Sequence, residues 1–151
     1  MRVTYQGDLF TPVVTGRQKV ERLQEEVSKM PQFEPDTRHT FHGGMYCREV
    51  FRPADTTIIG KVHKKEHFYL IVSGTVLIMD GVGAAVEVTG PKLISSRPGT
   101  KRAVYSVTDA LCMTFHALDA VTVEDAEAEL VEDDPVSMFA VGNKVKLKEI
   151  L

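Results

Sequence analysis

The chain has 151 residues, and 43% of them are hydrophobic while 26% are charged. A 16.8 kDa chain of this composition predicts one globular domain with a hydrophobic core, and it argues against a multidomain enzyme. The formal net charge of -3 argues against binding to a nucleic acid polymer or to an anionic membrane surface.

The cysteine content and the first residues predict the compartment. Two cysteines, Cys47 and Cys112, are too few for a disulfide framework and fit a reducing environment. Residues 1–8 lack the apolar region of a secretory signal, and no stretch approaches the roughly 20 apolar residues that cross a bilayer. We therefore expect a cytoplasmic protein with no membrane partner.

The first regular element predicted is a helix from Gly16 to Met30, which Pro31 ends. Its apolar residues recur every three or four positions, at Val20, Leu23, Val27 and Met30. Residues 31–44, rich in proline, histidine and glycine, predict an extended connector.

Eight short strands are predicted between Met45 and Ala117, because β-branched and aromatic residues alternate there with turn residues. The predicted strands are Met45–Phe51, Thr56–Val62, His67–Val72, Thr75–Met79, Ala85–Thr89, Leu93–Ser96, Arg102–Val107 and Leu111–Ala117. Since no helix separates them, we expect an all-β fold, an antiparallel sandwich or barrel.

Beyond Ala117 the sequence is acidic, and we expect one short helix over Val123–Val131. The tail Val136–Leu151 alternates apolar and polar residues and predicts an edge strand, within the chain or against a partner subunit. The predicted organisation is an N-terminal helix and connector (1–44), a β-barrel (45–117), and an acidic segment with a C-terminal arm (118–151).

The histidines are the main candidates for chemistry. If Lys64 and Lys65 form a tight turn, His63 and His67 lie on consecutive antiparallel strands and point to one face, as a metal or an anion requires. His116 ends the last predicted strand and is a candidate third member.

Around these histidines the sequence resembles the cupin family of small β-barrels, over about residues 45–117. The first cupin motif runs Gly, five residues, His-x-His, three or four residues, Glu, six residues, Gly. Gly74 matches the final glycine and His63 the second histidine. Lys61 stands at the first histidine, His67 at the glutamate and Asp55 at the opening glycine.

The second cupin motif, Pro-x-Gly-x-x-His, resembles the segment from Pro98 through Gly99 to Arg102, with Arg102 at the histidine position. The resemblance implies a cupin-like jelly roll with an N-terminal helix and a C-terminal arm. Of the four metal positions that it implies, Lys61 and Arg102 are cations that bind metal poorly.

Two interpretations of the site follow. In the first, Lys61, Arg102 and a partly protonated pair of His63 and His67 form a positive pocket for a small carboxylate, phosphate or nucleotide-like anion, which the protein sequesters. Tyr69 is expected to contribute to this ligand-binding set. Further candidates for the apolar lining are Tyr46 and Met79.

In the second interpretation, His63, His67 and His116 hold a divalent metal such as Zn, Fe, Ni or Mn for an isomerase, oxygenase or lyase reaction. His39 or His42 reaches in from the connector as a further ligand. A third alternative is a structural or assembly protein with an inert barrel, whose helix and C-terminal arm make the contacts.

Segments from His39 to Val50, Gly60 to His67 and Pro98 to Arg102, with His116, also look like a group of small cupin-like proteins of bacteriophages and bacteria. This resemblance implies a protein of a bacterial or phage-infected cell. Because small barrels usually cover their exposed edges, we expect a homodimer or larger homo-oligomer.

Overall fold

A computed structural model describes residues 16–81 and 83–146 of the chain. Within these residues, two α-helices flank nine β-strands. The helices are α1 (Gly16–Ser28) and α2 (Val123–Leu130), and the strands are β1 (Asp36–His42), β2 (Met45–Arg52), β3 (Thr57–Ile59), β4 (His67–Ser73), β5 (Thr75–Met79), β6 (Val86–Thr89), β7 (Lys92–Ser96), β8 (Ala103–Ser106) and β9 (Ala110–Ala117).

The strands form two antiparallel sheets that face each other. One sheet has the order β1-β2-β9-β4-β7, and the other has the order β3-β8-β5-β6. After β2 the chain crosses from one sheet to the other at every connection except the β5–β6 hairpin, whose two strands are neighbours in the same sheet. The predicted all-β jelly roll with an N-terminal helix is confirmed.

The connector prediction for residues 31–44 missed strand β1. Asp36–His42 pairs along its whole length with β2, and the register ends at His42 opposite Met45. Gly43 and Gly44 make the two-residue turn between them, with φ of 58° and 75°. Glycine favours two positive φ angles in succession, which a type I′ hairpin turn requires.

The hydrophobic core lies between the two sheets and continues under α1. Tyr69, Ile71 and Val76 belong to a cluster that joins the two layers. Val20 and Val27 of α1 belong to a second cluster with β3 and with residues of the C-terminal arm. Because the apolar stripe of α1 is narrow, its stability depends on this packing.

The bounds of several elements differ from those predicted. The second predicted strand shortens to Thr57–Ile59, since the chain leaves the sheet at Gly60, and α1 ends at Ser28, two residues before Met30. In the described part of the tail, a single bridge between Phe139 and Val145 replaces the expected edge strand. The end of the predicted tail, residues 147–151, lies outside the described residues.

Neither helix in the described part of the chain is long and apolar enough to cross a membrane. Both cysteines are free thiols: Cys47 is half-buried on β2 and Cys112 is buried on β9. Burial, followed by the charge of Glu49, raises the pKa of the Cys47 thiol. A raised pKa disfavours the thiolate, so Cys47 is a poor nucleophile at neutral pH.

Candidate functional site

A cavity of about 110 Å³ opens between the sheets, beneath α2 and the C-terminal arm. Its walls combine apolar residues with an unusual number of charged ones. The residues that line it are Arg48, Val50, Arg52, Ile58, Ile59, Gly60, Lys61, His63, His67, Tyr69, Arg102, Val104, Thr114, Glu127, Val131, Ser137, Phe139 and Asn143.

The cavity brings together all five residues of the predicted ligand-binding set: Lys61, His63, His67, Tyr69 and Arg102. The further lining candidates lie elsewhere. Tyr46 packs in a separate core cluster with Phe41, Leu118 and Leu130. Met79 packs against the cluster under α1. Both are therefore core residues.

The side chains of His63 and His67 lie close together, as predicted, but the prediction that both lie on consecutive antiparallel strands was wrong. His63 lies outside the strands and makes an isolated bridge with Val131, directly after α2. His67 begins β4 in the five-stranded sheet. The two ring centroids are 4.2 Å apart, because the loop through Lys64 and Lys65 carries the chain back toward the sheet.

His116 is not among the residues that line the cavity, but its ring stacks on those of His63 and His67. Its ring centroid is 4.7 Å from that of His67 and 5.9 Å from that of His63. The stack continues to Tyr46, whose ring is 5.7 Å from His116, and from there to His39 at 5.9 Å. His39 therefore lies on a strand and contacts the stack through Tyr46.

Burial keeps these imidazoles neutral. It is the main reason that the pKa of His63 falls to about 3, and the charges of His67, Arg48 and Arg102 lower it further. Burial likewise lowers the pKa of His67, and that of His116 to about 3. The expected partly protonated pair of His63 and His67 is thus wrong, because the site is too dry and too positive for imidazolium.

The three imidazoles lie close together, but their rings are not arranged around one point. The rings of His63 and His116 are nearly parallel, with an interplanar angle of 8°. Nitrogen lone pairs lie in the ring plane, so stacked rings do not direct them at one point. No group of three or more metal-ligating side chains among residues 16–81 and 83–146 is positioned to hold an ion. Metal binding by His63, His67 and His116 stays a prediction.

Three charged residues of the cavity were missed from the sequence: Arg48, Arg52 and Glu127. The alternation of β2 was the available signal for the two arginines, since they share a strand face with the buried residues Tyr46 and Val50. Glu127 lies on the buried face of α2.

Arg52 is the most unusual group of the cavity. It is only 9% exposed, and its Nε and Nη1 atoms have no hydrogen-bond partner. Two buried N–H groups of a guanidinium without acceptors are costly, because these atoms have lost water and gained no hydrogen bond in exchange. The buried hydroxyl of Tyr69 also lacks a partner.

Arg102 is held in place by its neighbours. Its Nη1 donates a hydrogen bond to Oγ of Ser96 at 2.7 Å. Its Cζ lies 5.3 Å from the centre of the Tyr69 ring, a distance at which a guanidinium is attracted to the ring face. These contacts orient the planar fork of Arg102 without neutralising its charge.

The cavity is strongly positive. Arg48, Arg52, Lys61 and Arg102 line it, and Glu127 is the single carboxylate among its described lining residues. Asp80 lies outside the lining, and its charge raises the pKa of Arg102 while burial, the larger effect, lowers it. In a site of low dielectric, this excess of cations favours an anionic guest.

Comparisons with known proteins give the fold. No protein-family model matches the sequence, and no curated protein matches it. A structure from Klebsiella pneumoniae, described as an uncharacterized conserved protein with a double-stranded beta-helix domain, matches with a TM-score of 0.50 and 11% identity. The match covers 79% of this chain and 95% of that one.

Two further solved structures show the same kind of similarity. A cupin-2 domain containing protein from Shewanella frigidimarina matches at a TM-score of 0.46 and 9% identity, over 63% of this chain and 91% of that one. An RmlC-like cupin family protein from Methanocaldococcus jannaschii matches at 0.49 and 7% identity, over 56% and 80%. At this identity the likeness concerns architecture alone, and the match with the Klebsiella pneumoniae structure shows a double-stranded β-helix fold.

Proposed function

We propose that this protein binds a small anion in the cavity between its sheets, with Arg52 and Arg102 as the groups that hold the charge. The observation that carries the proposal is the buried guanidinium of Arg52, which lines the cavity while Nε and Nη1 have no partner. A carboxylate or phosphate oxygen would supply the missing acceptors, and arginine binds such groups through two parallel hydrogen bonds.

The neighbouring groups suit the rest of such a ligand. Neutral imidazoles each carry one donor and one acceptor, so His63 and His67 can bind a hydroxyl or a carbonyl beside the charged group. The unpartnered hydroxyl of Tyr69 offers a further contact. Val104 and Ile58 form the apolar part of the wall.

The cavity volume limits the ligand to a small molecule. It is about 110 Å³, whereas one water needs about 10–15 Å³. The volume of inorganic phosphate or of a short keto or hydroxy acid is of this order. A nucleotide is larger and would have to leave most of its atoms at the mouth of the cavity. Holding such an anion without reacting with it would amount to sequestration.

Thermal unfolding in the presence of candidate anions tests the proposal. Phosphate, pyruvate, glycolate, malonate, ribose 5-phosphate and a nucleoside monophosphate are titrated at constant ionic strength, with chloride as the reference anion. At a concentration of 100 times Kd, binding contributes about 2.7 kcal/mol, which corresponds to a rise in Tm of roughly 5–10 °C for a chain of this size. If every anion leaves Tm unchanged, the proposal is wrong.

A matched pair of variants assigns the binding to the cavity. Arg52→Met removes the buried guanidinium, and we expect it to weaken binding of the best anion at least tenfold in calorimetric titration. Arg22→Gln removes one positive charge from an exposed position of α1, so its Kd should equal that of the wild type. Equal losses in both variants would indicate nonspecific attraction by net charge.

The two other functions considered from the sequence, a metal enzyme and an inert assembly protein, predict different results in binding experiments. A metal enzyme that uses His63, His67 and His116 would retain a stoichiometric divalent ion on elemental analysis, and His116→Gln would release it. An inert assembly barrel would bind neither metal nor anion.

A further inference from the structure

The cavity has a charged end, which is built around the ring of Tyr69. Burial raises the pKa of Tyr69, whereas the charges of Arg52 and Arg102 lower it, so both guanidinium groups act on this one phenol. Cζ of Arg102 is 5.3 Å from the centre of the Tyr69 ring, and Nε and Nη1 of Arg52 lack partners. An anion bound by the two arginines therefore lies next to the hydroxyl of Tyr69.

Two imidazoles lie beside this charged end. Tyr69 follows His67 by two positions on β4, so alternation directs both side chains to the cavity face of the sheet. Burial, the largest effect, lowers the pKa of His63 and of His67, and the charge of Arg102 lowers both further. Arg102 is thus close to Tyr69 and to both imidazoles. A small ligand whose anionic group binds Arg102 has its remaining atoms beside His63 and His67.

The hydrogen bonds of the two imidazoles determine which ring nitrogen carries the proton. Nδ1 of His67 lies 3.4 Å from the backbone carbonyl oxygen of Lys65. A carbonyl oxygen can only accept, so Nδ1 is the donor and Nε2 of the neutral ring is an acceptor. Burial lowers the pKa of His63 to about 3, while a hydrogen bond to the backbone of Thr100 raises it. Such a bond favours the protonated ring because a ring N–H donates to the backbone carbonyl, which leaves the other nitrogen of neutral His63 as an acceptor.

A ligand group that meets these acceptor nitrogens has to donate a hydrogen bond. A ketone oxygen only accepts, and reversing the tautomer of His67 would break its hydrogen bond to Lys65. An ammonium group donates, but four cationic side chains and one carboxylate are among the described residues that line the cavity. A further positive charge is disfavoured there, as imidazolium is. A hydroxyl group donates without adding charge.

We propose that the ligand is a short hydroxy acid, whose carboxylate binds Arg52 and Arg102 and whose hydroxyl donates to Nε2 of His67. This assignment rests on the proposed function and narrows it to one class of small anion. The carboxylate takes up the unpartnered N–H groups of Arg52, and the hydroxyl satisfies the imidazole. Keto acids and amino acids of the same size satisfy only the first of these two requirements.

Calorimetric titration of the full chain with acids of equal chain length tests the proposal. Propionate, lactate, pyruvate and alanine differ at the second carbon, which carries hydrogen only, a hydroxyl, a carbonyl oxygen or an ammonium group. Both enantiomers of lactate are titrated, at pH 7 and constant ionic strength. We expect the better enantiomer of lactate to bind with a Kd lower by about tenfold or more than each of the other three acids, because a site that pairs with a hydroxyl rejects analogues without it.

Substitution of His67 assigns this preference to the imidazole. His67→Phe removes the acceptor nitrogen and keeps a ring of similar shape, so the Kd of lactate should rise by about tenfold and that of propionate should stay the same. His42→Phe removes an exposed histidine at the end of β1 and should keep the wild-type Kd for lactate. Far-UV circular dichroism verifies that both variants are folded.

The outcomes separate this proposal from the proposed function. If propionate, pyruvate or alanine binds as tightly as lactate, or if phosphate binds and lactate does not, the hydroxy acid assignment is wrong while anion binding stands. Equal weakening of lactate by His67→Phe and His42→Phe would also overturn the assignment. If neither phosphate nor any of these acids binds, both the assignment and the proposed function are wrong.

Discussion

The carboxylate of Glu127 lies 3.4 Å from the guanidinium of Arg48, measured from Oε2 to Nη2. Its other oxygen is 4.0 Å from Nζ of Lys61, and the backbone N–H of Gly142 donates to Oε2. Helix α2 thus inserts one carboxylate into the cavity, where it contacts two of the four cations and compensates one positive charge. Arg52 and Arg102 remain for an external anion.

This arrangement predicts opposite effects of Glu127→Gln on affinity and on stability. Loss of the carboxylate leaves the charges of Arg48 and Lys61 uncompensated, so anions should bind about tenfold more tightly. The free energy of unfolding should fall by about 1–3 kcal/mol, because a largely buried ion pair loses one partner. Calorimetric titration with the best anion and urea unfolding measure the two effects.

Glu129 provides the control on the same helix. It pairs with Lys65 at the surface, where both side chains are substantially exposed, so Glu129→Gln should change the free energy of unfolding by less than about 1 kcal/mol. Its anion affinity should match that of the wild type. If Glu127→Gln binds anions more weakly, the carboxylate contacts the ligand or positions the arginines, and the charge argument fails.

A second prediction concerns the stability of the empty protein. Arg52→Met replaces a buried guanidinium that lacks partners at Nε and Nη1 with an apolar side chain of similar length. We expect the free energy of unfolding, measured in chloride without other anions, to rise by roughly 1–3 kcal/mol. A destabilised variant would show that Arg52 contributes packing or hydrogen bonds that outweigh its desolvation.

Much of the fold could be predicted because its signals are local. Short runs of β-branched and aromatic residues set seven of the strand positions to within a residue or two, and β3 was overextended because Gly60 and Lys61 follow Ile59 without a strong turn signal. Strand β1 was missed because its residues are mostly polar on both faces. The Gly43-Gly44 turn ahead of β2 was the signal that could have found it.

The site was predicted less completely, since it depends on contacts between distant segments. The predicted turn at Lys64 and Lys65 brought His63 and His67 together, and the resemblance to the cupin motifs implied Lys61 and Arg102 beside them. The charge state of the site histidines could not be predicted from the sequence pattern. Their imidazoles are neutral because they are buried, and α2, which contributes to this burial, lies some 60 residues further along the chain. The contribution of Glu127 depends on how α2 docks, and no pattern within the acidic segment distinguishes it from its solvated neighbours.

The buried imidazoles predict a specific dependence of stability on pH. In the unfolded chain a histidine titrates near pH 6.5, whereas burial and neighbouring charges lower the pKa of His63 and of His116 to about 3. Between these values the unfolded chain binds more protons than the folded one. The free energy of unfolding is therefore highest above pH 6.5. Below that pH it falls with decreasing pH, by up to about 1.4 kcal/mol per pH unit for each histidine.

Urea unfolding between pH 7.5 and pH 4.5 measures this slope. His116→Gln removes one of the shifted groups, so the slope below pH 6 should decrease by about 1 kcal/mol per pH unit. His42 is exposed at the end of β1, and His42→Gln should keep the wild-type slope. Parallel curves for the wild type and His116→Gln would mean that burial does not lower the pKa of His116 and that its surroundings are wetter than the structure indicates.

The final prediction concerns the ion pair that ties the C-terminal arm to the barrel. Lys101 is 4% exposed, and its Nζ lies 2.8 Å from Oδ2 of Asp134, which also accepts a hydrogen bond from Gln24 of α1 at 3.2 Å. Burial alone would raise the pKa of Asp134, but these hydrogen bonds lower it. One carboxylate thus joins α1, the loop before β8 and the arm.

Asp134→Ala leaves the Lys101 ammonium buried without a counterion, so the free energy of unfolding should fall by about 3–5 kcal/mol. The double variant Lys101→Met with Asp134→Ala removes both charges and should be more stable than Asp134→Ala alone. Glu26→Ala, which breaks an exposed pair with Lys29, should cost less than about 1 kcal/mol. The free energies of unfolding lost in the single variants Lys101→Met and Asp134→Ala are compared with the loss in the double variant. If the two single losses add up to the double loss, the two groups are not coupled, and packing rather than charge holds the arm against the barrel.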